Sequence, residues 1–214
     1  MKSESLNPAK PLLRGHFHQA AFFVALGACS MLVAKSHGFT AITSNLIYAI
    51  SIVGLFGMSA LYHRPTWDER ARKWMRRFDH SSIFLSIAGT STPISIIGIG
   101  EDRGIQLLGI FWAAACLGIV KSFFWVGSPK WLTAALCLAA GCLALPFLPE
   151  LTVALGSEKV ILIIAGGIVY ALGACVYAFK FPNPHPAVFG YHEVFHILVV
   201  VGAILHFIVI VSLT

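Results

Sequence analysis

Charged residues are scarce in this chain of 214 residues, where Asp, Glu, Lys and Arg together make up only 11%. Hydrophobic residues make up 57% and the mean hydropathy is +0.82, which is not the composition of a water-soluble globular domain. The shortage of charge therefore excludes a soluble enzyme or a soluble binding module. An integral membrane protein that crosses the bilayer several times is predicted instead.

The sequence also lacks a disulfide framework, a cleavable signal and a nucleic-acid-binding groove. All five cysteines lie inside apolar runs, where they pack as small hydrophobic side chains. The first apolar run has no convincing small-residue cleavage site, so no signal peptide is predicted. The formal net charge is +6, but the basic residues lie in short gaps without interleaved aromatic residues. We expect membrane lipids as partners and no nucleic acid.

Long apolar runs are what the chain has in abundance. A membrane-spanning helix needs about 17–25 predominantly apolar residues, and seven stretches meet this requirement. Pro93 in the third stretch and Pro146 near the end of the fifth are expected to kink their helices. The predicted fold is an all-α integral membrane protein with a tail of residues 1–15 and a seven-helix domain of residues 16–214. The seven predicted spans are residues 17–34, 39–62, 80–99, 105–126, 131–148, 160–179 and 188–213.

The distribution of Lys and Arg predicts the orientation of this bundle. Twelve of the fifteen lie in the N-terminal tail or near the second, fourth and sixth gaps, whereas Lys35, Arg103 and Lys159 lie near the others. Basic residues accumulate in the cytoplasmic loops of membrane proteins. The N-terminus is therefore predicted to be cytoplasmic and the C-terminus external.

Two histidines four residues apart, His192 and His196, stand at the start of the last predicted span. On a helix they differ by about 40° around the axis, so both imidazole rings can reach one ion. With seven spans threaded in this way, His63 at the end of the second span and Asp79 at the start of the third lie at the same end of the bundle. These four ionisable groups, distant in sequence, are predicted to share one site.

Zinc is the metal that this set of side chains favours. Neutral imidazole suits zinc, and a catalytic zinc typically has three protein ligands and one water, which predicts His63, His192 and His196 as ligands. Asp79, taken to lie at a helix N-terminus, is expected to orient that water and accept its proton, although it could also be a fourth ligand. Ser59 lies one turn before His63 and could orient a ligand ring or the water. A serine in a membrane helix more often bonds its own backbone.

The remaining histidines are not predicted to join this site. His206 lies about 15 Å deeper along the last helix and is expected to be a buried hydrogen-bonding residue. His80 and His185 are expected to be solvated or interfacial, and no partner is apparent for His18. The basic run of residues 70–77 is interpreted as a topology signal and a contact for anionic lipid, not as part of a substrate cleft.

These residues resemble the hemolysin III family, the bacterial relatives of the progestin and adiponectin receptor family. The family pattern of Ser, three residues and His is similar to residues 59–63. Its Asp followed by an aromatic residue or His is similar to residues 79–80, and its final His-x-x-x-His is similar to residues 192–196. The match extends over nearly the whole chain after Arg14. The resemblance implies seven helices in the bacterial inner (plasma) membrane, with an inward N-terminus. It also implies a zinc ion held by the three His, with the Asp in contact with the zinc-bound water.

One departure from the family pattern lies in the first helix. The family often has a Glu and an Asn ahead of a His, whereas here Arg14 stands four residues before His18 and no Glu lies between Leu6 and His18. The role of that motif in this chain is left open, and the zinc ligands are unaffected.

Three hypotheses for function remain, two from the resemblance and one from a motif. Members of the family are labelled hemolysins, membrane-homeostasis proteins or lipid amide hydrolases. The first is a zinc-dependent hydrolase of a lipid amide or ester bond. The alternative is a non-enzymatic pore-forming cytolysin or homeostasis regulator with a structural zinc. The third reads residues 192–196 as the His-Glu-x-x-His of a metalloprotease with Glu193 as the base, which leaves His63 without a role. A cavity open to lipid would favour the hydrolase, and a closed four-ligand site would favour the alternative.

Overall fold

The computed structural model describes residues 10–214, so most of the predicted N-terminal tail, residues 1–9, lies outside the described part. Within residues 10–214 the chain is helical, and its only β-type pairing is an isolated bridge between His185 and Phe189. The α-helices are α1 (His16–Lys35), α2 (Phe39–His63), α3 (Glu69–Pro93), α4 (Glu101–Phe124), α5 (Lys130–Cys142), α6 (Leu148–Leu155), α7 (Ser157–Phe179) and α8 (Tyr191–Val211).

Seven helical units are long and apolar enough to cross a membrane. Five of them are single helices, the third is α3 continued by a π-helical segment (Ile94–Ile99), and the fifth is α5 continued through a 3-10 turn into α6. The predicted all-α, seven-span fold is therefore confirmed. Consecutive spans contact one another in chain order and α8 contacts α1, so the seven spans form a closed ring.

The contact between α2 and α3 is close because small residues face each other there. Gly89 of α3 lies against Ser51 of α2, and a Cβ atom at position 89 would overlap the Ser51 side chain. Small residues at such positions let the backbones of membrane helices approach and pack by van der Waals contact. As a result α3 becomes the most buried of the seven spans.

The third span starts much earlier than predicted, at Glu69 instead of residue 80. Asp68 caps the helix, since its carboxylate accepts a hydrogen bond from the backbone N–H of Ala71 at 2.8 Å. Residues 70–77 are therefore helical, not a gap between spans. Asp79 lies inside α3 and not at its N-terminus. The prediction that the helix dipole stabilises its negative charge is therefore wrong.

One end of the bundle, which we call the basic end, carries residues 10–15, 63–77 and 180–192. The N-terminal segment is fixed there by backbone hydrogen bonds from Leu12 N–H to Ala187 C=O (3.0 Å) and from Leu13 N–H to Val188 C=O (3.1 Å). The Lys10 ammonium donates to the Arg64 carbonyl at 3.0 Å. The segment thus joins the α2–α3 connection to the α7–α8 connection before α1 begins.

Proline residues interrupt two spans at the opposite end. The regular α-helix of the third span ends at Pro93 and continues as the π-helical segment, and the fifth span breaks at the 3-10 turn that contains Pro146. Both prolines therefore lie where the regular α-helix of the span is interrupted, and the predicted kinks remain predictions. The short helix α6 packs against the π-helical segment, with Leu155 beside Gly98. Since Phe147 and Leu151 are also buried, this end of the bundle is filled by side chains.

Candidate metal centre

Three histidines from two helices meet at the basic end. His63 is the last residue of α2, while His192 and His196 lie in the first two turns of α8. The Nε2 atoms of His63 and His192 are 3.1 Å apart, and one ligand atom from each of the three rings lies within 4.8 Å of the others. Within residues 10–214 this is the one group of three such side chains that could hold a metal ion.

One of the three nitrogen–nitrogen separations matches that in a tetrahedral zinc site. Nitrogen ligands at about 2.0–2.1 Å from a tetrahedral zinc lie roughly 3.3 Å from one another, close to the separation between His63 and His192. His192 and His196 are buried, and the Nδ1 atom of His196 has no hydrogen-bond partner among the described residues. Buried imidazoles gathered this closely are stabilised by a cation that all three can ligate.

Asp79 and Ser59 border the histidine cluster. The Asp79 Oδ2 atom is 4.0 Å from the Nε2 atom of His63, which is beyond hydrogen-bond distance, and the residue is 8% exposed. Ser59, one turn before His63 on α2, is buried beside the Asp79 carboxylate. The structure therefore brings all five predicted site residues together, with the carboxylate next to the imidazoles and not among them.

Glu193 is held away from this cluster, although it directly follows His192. Its carboxylate accepts hydrogen bonds from Arg14 Nε at 2.5 Å and from the backbone N–H of Gly190 at 2.8 Å, and the residue is fully buried. The second bond is the reciprocal half of a helix N-terminal cap. A carboxylate engaged in this way does not fit the role of a free general base, which weighs against the metalloprotease hypothesis.

His18 is the neighbour of the site that the sequence did not indicate. Its ring stacks on that of His196, with ring centroids 3.8 Å apart and 5° between the planes. It is 3% exposed, and neither ring nitrogen has a hydrogen-bond partner among the described residues. Its place in the first turn of α1, at the same end as His63, was the available signal. Only the packing of α1 on α8 makes that signal meaningful.

The other histidines partly follow the predictions. The Nε2 atom of His206 lies 3.0 Å from the Ile163 carbonyl, which confirms a hydrogen-bonding role, and His185 is exposed as predicted. The prediction for His80 is wrong, since it is only 8% exposed and faces the interior. The early start of α3 explains this, because His80 lies well inside the helix and not at its end.

A cavity of about 1240 Å³ extends from the histidine cluster into the bundle. His63, His192, His196, Ser59 and Asp79 line it near the basic end. Farther in, its wall is mainly apolar and includes Leu107, Phe111, Leu148, Leu151 and Val199 from α4, α6 and α8. It exceeds the roughly 300–1,000 Å³ of typical small-molecule sites, so there is room for a long apolar chain beside the cluster.

Part of the cavity wall comes from the span that contains α5 and from α7. Several residues of this part line the cavity and are exposed. They include Gly141, Cys142 and Leu145 in the span of α5 and Gly167 and Ile168 in α7. These exposed residues mark the place where a lateral entrance from the bilayer would lie.

Five cationic side chains surround the mouth of the cavity at the basic end: Lys10, Arg14, Arg72, Arg76 and Lys130. The prediction that residues 70–77 take no part in a cleft is therefore wrong for Arg72 and Arg76. Because this stretch is helical, these two residues, four apart, share the face of α3 that lines the cavity. Arg70, Lys73 and Arg77 lie on another face together with Trp74.

Comparison with known proteins identifies relatives of the whole chain. The family model described as Haemolysin-III related matches residues 6–207. Hemolysin-3 of Bacillus cereus is 30% identical over 196 residues, which cover 89% of this chain and 85% of that protein. The Hemolysin-3 homolog of Bacillus subtilis (strain 168) is 30% identical over 162 residues, which cover 76% and 73% of the two chains. Together with the seven spans, these matches confirm the resemblance, and the chain belongs to the haemolysin III-related family of multi-pass membrane proteins.

Proposed function

We propose that this protein is a zinc-dependent hydrolase that cleaves an amide or ester bond in a lipid. The observation that supports the proposal is the single cavity that joins three convergent imidazoles and a neighbouring carboxylate to a mainly apolar interior, with exposed residues of α5 and α7 where a lateral opening would lie. A structural metal that only clamps helices needs neither the interior nor the opening. A hydrolase needs both, because its substrate enters from the bilayer.

Each side chain of the site has a separate role in the proposed hydrolysis. His63, His192 and His196 would hold the zinc, which when bound polarises a carbonyl and lowers the pKa of a water molecule towards about 7. Asp79 accepts the proton of the attacking water as its oxygen bonds to the acyl carbon, and Ser59 fixes the position of that carboxylate. The bond from the acyl carbon to nitrogen or oxygen then breaks, and Asp79 returns the proton to the leaving group. The products are a fatty acid and an amine or alcohol.

The name Hemolysin-3, which both relatives carry, supports a second candidate function, that of a pore-forming cytolysin or a membrane-homeostasis regulator with structural zinc. A pore must continue through both ends of the bundle. Phe147, Leu151 and Leu155 fill the end opposite the histidines. This packing favours a cavity with a closed far end, and hence the hydrolase.

Purified protein in lipid vesicles separates the two functions. We expect the protein to release fatty acid from a lipid amide or ester included in the vesicles, without leakage of an entrapped dye. The matched control is the His63→Ala variant, which should release none. Dye leakage without fatty-acid release would contradict the hydrolase and favour the cytolysin.

We further propose that the basic end faces the cytoplasm of a bacterium, with the C-terminus external. The support is the excess of Lys and Arg at that end, twelve against three in the whole sequence. A compartment reporter fused after Thr214 should report the external side, whereas the same reporter inserted after Thr66 should report the cytoplasm. A cytoplasmic signal from the fusion after Thr214 would overturn the orientation.

A further inference from the structure

The mouth of the cavity carries more cationic side chains than the nearby acidic side chains can neutralise. Arg14 is paired with Glu193, and the Lys130 ammonium donates to the Tyr191 hydroxyl at 2.8 Å. In contrast, within residues 10–214 the guanidinium groups of Arg72 and Arg76 form no salt bridge and no side-chain hydrogen bond, although Asp79 attracts Arg76 from a distance. Asp79 is the one acidic side chain among the described residues that line the cavity.

This arrangement is unfavourable without a counter-charge. Like charges four residues apart on a helix repel each other, as Arg72 and Arg76 do. Lys10 lies in the same excess of positive charge. Burial and the nearby charges of Arg14, Arg64 and Arg72 lower the pKa of its ammonium group from the usual range. An anion placed between these groups would relieve the repulsion.

Membrane topology does not explain why two of these cations face the cavity. Basic residues at the cytoplasmic end can serve as topology signals on any face of a helix. Arg70 and Lys73 provide that charge on another face of α3, where Lys73 pairs with Glu69 at 2.7 Å. The orientation of Arg72 and Arg76 into the cavity mouth therefore indicates a ligand.

The position of the two arginines along α3 matches the order of groups in a phospholipid. At 1.5 Å per residue, Arg76 and Arg72 lie about 4.5 Å and about 10 Å beyond Asp79 towards the basic end. On the other side of Asp79 the cavity wall is mainly apolar, with Ile83 and Ile87 on α3. A molecule lying along this axis would place its head group at the arginines, its acyl bond beside the histidines and its chain in the interior.

We propose that the ligand of this site is a phosphate-bearing lipid whose phosphate binds Arg72 and Arg76, with Lys10 beside them. Guanidinium groups match the oxygens of phosphate in bidentate geometry, and such charge-assisted bonds are stronger than neutral ones. The proposal rests on the hydrolase function, for which it names the substrate class. It concerns binding at the mouth, so it can be measured in protein that carries out no hydrolysis.

The test is a binding titration of purified protein in neutral detergent with fluorescent lysophosphatidic acid, beside the uncharged monoacylglycerol of the same chain. We expect the phosphate-bearing lipid to bind at least about tenfold more tightly, because two charge-assisted contacts are added. The double variant Arg72→Gln/Arg76→Gln should lose this advantage and still bind the uncharged lipid. The double variant Arg70→Gln/Lys73→Gln, which removes the same charge from another face of α3, should keep it.

Two further binding measurements show why the main experiment fails, if it does. Inorganic phosphate should displace the lipid only weakly, since it lacks the acyl chain. If phosphate displaces the lipid at a concentration equal to that of the lipid, the ligand is a free anion and the proposal of a lipid is wrong. An ether-linked analogue of lysophosphatidic acid, which has no acyl bond to hydrolyse, should bind the wild type like the ester, so that a failed hydrolase function does not hide a correct binding site. Equal affinity for the charged and uncharged lipids, or equal loss in both double variants, would also overturn the proposal.

Discussion

Replacement of His63, His192 or His196 by alanine is expected to remove most of the zinc from purified protein, which should carry about one ion per chain. The three ring nitrogens converge within 4.8 Å, so each imidazole supplies one of three protein ligands. Two remaining imidazoles hold the ion poorly. Elemental analysis of the purified variants measures this directly.

Two other histidines serve as controls for that experiment. His185→Ala should keep its zinc, because this residue is exposed and lies outside the cavity. His18→Ala should also keep most of it, since His18 stacks on His196 and does not belong to the group that shares an ion. Full retention in any of the three cluster variants would remove that residue from the ligand set. Loss in His18→Ala as large as in those variants would make His18 a fourth ligand and close the site.

The second large effect is expected from Asp79→Asn. This change keeps the shape of the side chain but removes the acceptor for the proton of the attacking water, so hydrolysis should fall by about 10²–10⁴-fold. Zinc should stay, because the Asp79 carboxylate lies 4.0 Å from the nearest ligand ring nitrogen and outside the ligand group. Fatty-acid release and zinc content are measured on the same preparations.

Asp102→Asn is the matched control, since Asp102 is exposed at the opposite end of the bundle. It should change neither zinc content nor hydrolysis. Loss of zinc in Asp79→Asn would identify Asp79 as a fourth ligand. A site closed by four protein ligands has no open position for substrate, and that result would contradict the hydrolase.

The fold could be predicted because apolar runs of this length have few alternatives in a membrane. The sequence-based prediction is wrong at the start of α3, because residues 69–78 are rich in charge and look like a gap between two spans. Hydropathy finds the part of a helix that lies in the bilayer and is insensitive to its extension beyond it. The cap from Asp68 and the pair of Glu69 with Lys73 sustain that extension.

The candidate site could be predicted for those residues whose position is fixed by spacing along a helix and by the order in which the spans cross the membrane. His192 and His196 share a helix face, and the order of spans brings His63 and Asp79 to the same end. His18, Arg72 and Arg76 could not be assigned from sequence, because their roles depend on which face of α1 or α3 turns inward. That choice is made by the packing of α1 on α8 and of α3 on α2.

The central claim is that bound zinc serves hydrolysis and does not only join helices. The most direct measurement follows fatty-acid release and zinc content in one preparation of the wild type while the metal is removed by a chelator and then returned. Release should fall in step with the zinc and recover as the content approaches about one ion per chain. Fatty-acid release that is unchanged by zinc removal, or its absence from lipid amides and esters in fully zinc-loaded, folded protein, would contradict the claim.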